Sequence, residues 1–218
     1  MKRGPTALLL ASLACALAGG PRAALAEEAS PHDDVSAADR QRLANGQTVT
    51  YPQTLYVRGK RYVGGVTYTE VNASVSELTA LLADTSAYKQ VLPHARDAQL
   101  VGMAEKDRLV EITQGTALIS AAYTLRLRTD DDHLRVRFWL DRSKPHGIDD
   151  AWGFFRVEPL ADAADGSPRV LLAYGILVDL GPGLMRDFFE NRIQASMLTV
   201  PERLRQYASV RFRSRHRA

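Results

Sequence analysis

The middle of the chain alternates apolar and polar residues in short runs, a pattern that predicts β-strands. The first run covers Tyr62–Val71 and is rich in β-branched and aromatic residues. Three consecutive aspartates at positions 130–132 predict a turn between two of the later runs. The later strands are predicted at Ala98–Ala104, Arg108–Thr116, Ile119–Thr129, His133–Arg142, Ala151–Leu160 and Arg169–Leu180.

Other segments space their apolar residues three or four positions apart and predict helices. One opens at Ser74, with Glu77 three positions later, which is a capping box. A short helical segment at Ser86–Leu92 follows and stops before a proline. The last is the long stretch Leu184–Tyr207, in which Pro201 predicts a kink. One curved antiparallel sheet of about seven strands, packed against one long C-terminal helix, makes an α+β fold.

The segment before the first strand is polar and is interpreted as an N-terminal extension, residues 27–60, outside the core. It contains a short predicted helix at Ala37–Ala44 and a weak strand pattern around Tyr51–Val57. The predicted strands carry apolar residues on both faces, among them Leu171 and Leu177 on the outer one. A sheet that is apolar on both sides must be covered on both sides. Either the extension or another protein is expected to supply the outer cover.

Residues 1–26 have the features of a secretory signal peptide. Lys2 and Arg3 precede the short apolar run Ala7–Leu17, and Ala24-Leu25-Ala26 forms an A-x-A cleavage site. The apolar run is too short to span a bilayer as a helix. The alternative is lipidation at Cys15, because Ser12-Leu13-Ala14-Cys15 resembles a lipoprotein cleavage site. Its Ser12, however, stands where an aliphatic residue is usual. Either way, the sequence predicts an exported protein, with the periplasm as its compartment.

Composition and charge exclude several classes of protein. With 45% hydrophobic and 24% charged residues over 218 positions, the chain is neither disordered, collagen-like nor a multi-span membrane protein. The formal net charge of +3 comes from residues 1–26, since 25 basic and 25 acidic residues follow Ala26. This distribution argues against a nucleic-acid-binding face. The one cysteine lies in the signal, so the mature chain lacks thiolate catalysis, thiolate metal sites and disulfides.

A basic tail, residues 209–218, is the remaining concentration of charge. It is a candidate contact with an anionic membrane surface, although a solvated tail accounts for the same residues. The arginines concerned are Arg211, Arg213, Arg215 and Arg217.

Several local motifs lie within this order of elements: Glu70–Leu78 with Leu81–Asp84, Tyr88 with Val91–Pro93, Phe155–Leu160, and Leu184–Tyr207. These motifs and the order of elements resemble the START-like superfamily, also called SRPBCC or birch-pollen-allergen-like. The bacterial polyketide cyclase/dehydrase and lipid-transport family is the most similar branch. In one motif, Lys89 replaces a proline that is usual after the tyrosine of the family. The resemblance covers about residues 61–208.

The resemblance implies a helix-grip fold with a hydrophobic cavity between the curved sheet and the closing helix. The apolar faces of the predicted hairpin and of the long helix independently require the sheet and helix to cover each other. Tyr123 and Tyr174 are the notable pair, because a buried hydroxyl needs a hydrogen-bond partner, which the polar end of a ligand can supply. The residues expected to contact a ligand are Tyr88, Leu92, Tyr123, Leu125, Phe138, Trp152, Phe155, Tyr174, Met185, Phe189 and Ile193.

Two polar groupings offer other chemistry, and each has a simpler interpretation. One hairpin face carries four arginines, which suit anionic headgroups or an acidic partner, or else a solvated face relieved by nearby aspartates. His94, His146, Asp149 and Asp150 can supply acid–base groups or metal ligands, but they lack ligand spacing and suit ordinary polar loops better. No cofactor or phosphate-binding motif is present, and no catalytic residue is assigned. The arginines are Arg126, Arg128, Arg135 and Arg137.

The sequence therefore predicts an exported binding or carrier protein for a hydrophobic small molecule, lipid or sterol-like, without a cofactor or metal. Two alternatives stay open. One is a cyclase or aromatase acting on a polyketide-like chain. The other is a non-catalytic adaptor of an envelope transport system.

Overall fold

The computed structural model describes residues 34–116, 120–130, 132 and 134–212, with the side chains of residues 184 and 185 excepted. The signal segment and Cys15 lie outside this part of the chain. So do Arg213, Arg215 and Arg217 of the basic tail.

Eight antiparallel strands form one sheet in the order β1-β2-β8-β7-β6-β5-β4-β3. The central strand β8 pairs with β2 on one side and β7 on the other, so strands from the two ends of the chain are neighbours. The strands are β1 (Val49–Val57), β2 (Lys60–Val71), β3 (Ala95–Ala104), β4 (Asp107–Gly115), β5 (Ser120–Thr129), β6 (Arg135–Leu140), β7 (Asp150–Leu160) and β8 (Arg169–Asp179).

Within the described ranges, five α-helices and one short 3-10 helix (Thr85–Ala87) accompany the sheet. The capping box opens α2 as the sequence predicts: the Ser74 hydroxyl accepts from the Glu77 amide at 3.2 Å, and the Glu77 carboxylate accepts from the Ser74 amide at 2.9 Å. No helix in the described ranges is both long and apolar enough to cross a membrane. The helices are α1 (Ala37–Ala44), α2 (Val75–Ala83), α3 (Tyr88–Val91), α4 (Leu184–Met197) and α5 (Val200–Phe212).

The C-terminal helix is bent, with a break at Leu198 and Thr199 between α4 and α5. The Leu198 carbonyl at the break accepts a 3.1 Å hydrogen bond from the buried hydroxyl of Thr67 on β2. Pro201 lies in the first turn of α5, where its missing N–H leaves no intrahelical bond unmade. The kink predicted from Pro201 is therefore present just before it, and the second half continues beyond Tyr207 to Phe212.

In residues 34–60, the part of the predicted extension that the structure describes, the chain packs on the domain instead of lying outside its core. Strand β1 pairs with β2 over its full length, which gives eight strands instead of about seven. Helix α1 has the predicted bounds, and its Leu43 packs with Val35 against Leu171 on the outer face of the sheet. This chain's own N-terminal residues therefore cover part of the outer apolar face.

Candidate functional site

A cavity of about 450 Å³ lies between the concave face of the sheet and the helices. Strands β4 to β8 form its floor, and residues of α2, α3, α4 and α5 form its roof. Its volume is in the range of small-molecule sites, and most of its lining is apolar.

Three aromatic rings pack together at the centre of the floor. The ring centroids of Phe155 and Tyr174 are 4.8 Å apart, and Phe138 lies 5.8 Å from the first and 6.2 Å from the second. Gly153 makes room for this packing, because a Cβ there would lie 2.4 Å from the Cζ atom of Phe138. The neighbouring strands therefore present one continuous aromatic surface to the cavity.

Three tyrosine hydroxyls belong to the cavity lining, and two of them are satisfied within the protein. Tyr88 donates to the Leu82 carbonyl at 2.7 Å. Tyr123 donates to Oε1 of Gln114, whose Nε2 donates to the Pro93 carbonyl at 2.8 Å. The Tyr174 hydroxyl has no hydrogen-bond partner among the described residues.

Burial raises the pKa of all three phenols, to about 12 for Tyr88 and further for Tyr123 and Tyr174. The cause is the loss of hydration that a phenolate would suffer inside the protein. All three side chains are therefore neutral hydrogen-bonding groups at physiological pH.

The two halves of the C-terminal helix cover the cavity differently. On α5, the side chains of Val200, Leu204, Ala208 and Phe212 are buried in the main core. On α4, no described side chain is fully buried, and Phe189, Ile193 and Met197 are half-exposed because they face the cavity.

Polar contacts tie α4 to the β1–β2 hairpin. Arg61 and Glu190 form an ion pair, with Nε and Oε2 3.0 Å apart. Gln194 Nε2 donates at 2.9 Å to the carbonyls of both Gln53 and Gly64. The first half of the helix is therefore held mainly by hydrogen bonds, and the second half by apolar packing.

One side of the cavity carries a polar rim. Exposed His94, exposed Arg192 and Ser120 belong to the lining there, together with the end of β4 at Gly115. His94 has a positive φ of 55°, and its carbonyl accepts from the Gly115 amide at 3.0 Å. This rim is made by the turn before β3, the β4–β5 connection and α4.

All the residues expected to contact a ligand line the cavity except Trp152 and Met185. The side chain of Met185 lies outside the described part of the structure. Trp152 is on the opposite face of the sheet, packed with Tyr62 and Leu177, so its placement in the cavity is wrong. Successive side chains of a strand alternate between faces, and Phe155, three positions further along, takes the inner face.

The sequence did not single out several other residues of the lining. Ile176 follows Tyr174 by two positions on β8, and Met197 follows Ile193 by four positions on α4, so alternation and helical spacing could have identified both. Gln114 follows Ile112 by two positions and Arg192 follows Phe189 by three, but both side chains are polar, so a search for apolar spacing does not find them.

Three of the four outer-face arginines form ion pairs with aspartates. Arg126 Nε lies 3.2 Å from Asp141, Arg128 Nε lies 2.6 Å from Asp107, and Arg137 Nη2 lies 2.7 Å from Asp130. This is the arrangement expected of a charged face relieved by neighbouring carboxylates.

The predicted acid–base groups are dispersed. The His146 ring nitrogen Nδ1 lies 2.8 Å from the Ile148 carbonyl, and Asp150 accepts from the Tyr62 hydroxyl at 2.9 Å. The described residues contain no group of three or more His, Cys, Asp or Glu that could hold a metal ion. Nor do they place a carboxylate in the cavity lining, where His94 is the one imidazole. The lining therefore offers apolar binding and tyrosine hydrogen bonds rather than paired acid–base groups.

Near the end of α5, Arg211 forms an ion pair with Asp84, the residue that follows α2, with Nη1 and Oδ2 2.8 Å apart.

Comparison with solved structures finds the same architecture in proteins of low sequence identity. A STAR-related lipid transfer protein from Xanthomonas axonopodis superposes with a TM-score of 0.56 at 15% identity, over 74% of this chain and 93% of that one. The protein TTHA0849 from Thermus thermophilus gives a TM-score of 0.53 at 15% identity, over 66% and 96%. The Zhui aromatase/cyclase from Streptomyces sp. R1128 is less similar, with a TM-score of 0.43 at 13% identity, over 76% and 90%.

No protein-family model matches the sequence, and no curated protein matches it.

Proposed function

The chain has the START-like helix-grip fold, and we propose that it is a binding or carrier protein for a hydrophobic small molecule, lipid or sterol-like. The observation that carries this proposal is the apolar cavity of about 450 Å³ between the sheet and the bent helix. The lipid transfer named for the Xanthomonas axonopodis protein is in keeping with such a role.

Burial of apolar ligand surface supplies the affinity in this proposal. Removing apolar surface from water contributes about 25 cal/mol per Å², before the costs of ordering are subtracted. Each buried methylene group adds about 0.8 kcal/mol, or about fourfold in affinity. The proposed contacts are the aromatic floor, Phe138, Phe155 and Tyr174, and the half-exposed apolar residues of α4.

Export to the periplasm is part of the proposal and is supported by the N-terminal sequence alone. Cleavage after Ala26 gives a mature chain that starts at Glu27, whereas lipidation gives one that starts at Cys15. The mass of the N-terminal peptide of protein isolated from the producing cell distinguishes the two, and an intact Met1 peptide would contradict export. Contact of the basic tail with an anionic membrane stays a proposal, with Arg211 already paired to Asp84.

Equilibrium binding of an environment-sensitive apolar fluorophore tests the proposed function. Half-buried Ile176 faces the cavity, so Ile176→Phe adds volume where the ligand would lie. This variant is expected to lose at least about tenfold in affinity while keeping its unfolding midpoint. Val101→Phe, at a half-exposed position of β3 outside the cavity lining, is the matched control. Equal fluorophore affinities in both variants and the wild type would contradict the proposal.

A further inference from the structure

The Tyr174 hydroxyl differs from the other tyrosine hydroxyls of the cavity. Tyr174 is 2% exposed, yet its hydroxyl meets no hydrogen-bond partner among the described residues. It is also not one of the fully enclosed side-chain polar atoms of the described residues that lack a hydrogen bond, which are the Trp152 indole nitrogen and Asp141 Oδ2, the latter ion-paired with Arg126. The hydroxyl therefore opens into the cavity space rather than being sealed in packed protein.

A buried hydroxyl without a partner is costly, which makes this position informative. Leaving such a group unpaired costs about as much as a hydrogen bond is worth, and phenylalanine would pack in the same place without that cost. The cavity wall already carries phenylalanine on nearby strands, at Phe138 and Phe155. A hydroxyl here has a clear use only if something inside the cavity bonds to it.

We infer that the Tyr174 hydroxyl binds the oxygen of a neutral ligand head group, an alcohol or a carbonyl, placed inside the cavity with the apolar body around it. This inference rests on the proposed function and specifies its ligand: a molecule that is apolar except for one uncharged oxygen. The ligand bonds at Tyr174 and leaves only apolar surface to contact Phe138, Phe155 and the α4 side chains.

Tyr123 explains why a hydroxyl group suits the site. Nε2 of Gln114 donates to the Pro93 carbonyl, which turns Oε1 toward Tyr123 and commits the Tyr123 proton to it. The Tyr123 oxygen is left as an acceptor. Tyr123 and Tyr174 both line the cavity, and Tyr123 packs against the part of the core that contains Tyr174. A ligand alcohol can accept from Tyr174 and donate toward Tyr123.

The charge distribution disfavours an anionic head group at the same place. The basic side chains of the described lining, Arg192 and His94, are exposed at the rim. A carboxylate beside Tyr174 would give up its hydration for neutral hydroxyls, which is far more costly than placing an alcohol there. A carboxylate would instead have to remain at the rim beside Arg192.

Displacement of a bound apolar fluorophore by dodecanol, dodecanoate and dodecane tests this inference. The wild type is expected to bind dodecanol more tightly than dodecanoate at neutral pH. Tyr174→Phe should lower dodecanol affinity about threefold to tenfold and leave dodecane affinity unchanged, because it removes one hydrogen bond and keeps the ring. Its unfolding midpoint without ligand should be equal to or above that of the wild type.

Tyr62→Phe is the matched control, since the Tyr62 hydroxyl is outside the cavity lining, on the opposite face of the sheet, and donates to Asp150 at 2.9 Å. It should keep the wild-type ratio of dodecanol to dodecane affinity. An unchanged ratio in Tyr174→Phe would overturn the inference while the proposed function stands. Tighter binding of dodecanoate, lost in Arg192→Ala, would overturn it by placing the head group at the rim. Failure of all three ligands to bind the wild type would overturn the proposed function itself.

Discussion

The guanidinium of Arg61 and the carboxylate of Glu190 are joined by paired hydrogen bonds, with Nη2 and Oε1 2.5 Å apart and Nε and Oε2 3.0 Å apart. This ion pair connects the start of β2 to α4, the half of the C-terminal helix that has no fully buried side chain in the described structure. Since α5 is anchored in the core, the pair holds the part of the cavity roof best able to move.

Breaking this ion pair should speed ligand release. Glu190→Gln removes the charge and keeps the shape of the side chain. The off-rate of a bound apolar fluorophore is expected to rise up to about fivefold, the range of a partly exposed ion pair. Arg211→Ala, which breaks the pair between α5 and Asp84, should leave the off-rate unchanged. Stopped-flow displacement measures both, and equal off-rates in Glu190→Gln and the wild type would show that α4 does not control release.

The same ion pair gives ligand release a pH dependence. Hydrogen bonding from Arg61 lowers the pKa of Glu190 below its ordinary value of 4.5, and the charge of Arg186 lowers it further. A lowered pKa in the folded state means that the pair stabilises α4 fully above the ordinary value and is lost as the pH falls through the folded value. The wild-type off-rate should be flat near neutral pH and rise below 4.5, whereas Glu190→Gln should lack the component due to this group. The same increase in off-rate at acid pH in Glu190→Gln would show that other titratable groups cause it.

The two halves of the C-terminal helix should respond differently to truncation. Leu204 on α5 is 2% exposed, so Leu204→Ala should cost about 2–5 kcal/mol of unfolding free energy. Ile193 on α4 is half-exposed to the cavity, so Ile193→Ala should cost less than about 1 kcal/mol and mainly weaken ligand binding. Urea denaturation with and without ligand measures both effects. Equal losses of stability would contradict the distinction between an anchored half and a cavity-facing half.

Substitutions on the two faces of β7 should also have different effects on ligand binding. Phe155 faces the cavity and Trp152 packs on the outer face, where its indole N–H is one of the buried groups without a partner in the described residues. Phe155→Leu is expected to lower the affinity for an apolar ligand severalfold, because ring contacts with the ligand are lost. Trp152→Phe should leave that affinity unchanged. Titration of both variants with an apolar fluorophore measures the two affinities. A comparable loss of affinity in Trp152→Phe would show that Trp152 contributes to the binding site.

Local signals explain which parts of the fold the sequence predicts. The Ser74–Glu77 capping box is complete within four residues, so the start of α2 follows from the sequence alone. Alternation within a strand likewise sorts Phe138 and Tyr174 onto the inner face. The packing of Val35 and Leu43 against the sheet has no local signal, because both are isolated apolar residues in a polar stretch. Their burial depends on Leu171, which is distant in the sequence.

The cavity lining shows the same division between local and distant information. The apolar residues of the lining can be predicted from strand alternation and helical spacing. Trp152 and Phe155 are three positions apart on β7, so alternation places them on opposite faces, and both cannot line the cavity. Gln114 and Arg192 are polar residues on different elements, and the tertiary fold brings both to the cavity lining. The Tyr174 hydroxyl lacks a hydrogen-bond partner because no described residue of the neighbouring strands places a donor or acceptor beside it. The local sequence around Tyr174 carries no information about those strands.

Native mass spectrometry of the protein purified from the cells that produce it tests the central claim most directly. The account predicts an added mass on the folded protein, released on denaturation, that extraction identifies as a mainly apolar molecule with one neutral oxygen. The Ile176→Phe variant prepared in parallel should carry much less of it, because the added ring occupies the cavity. Wild-type protein without any added mass, which also fails to bind an apolar fluorophore, would contradict the account.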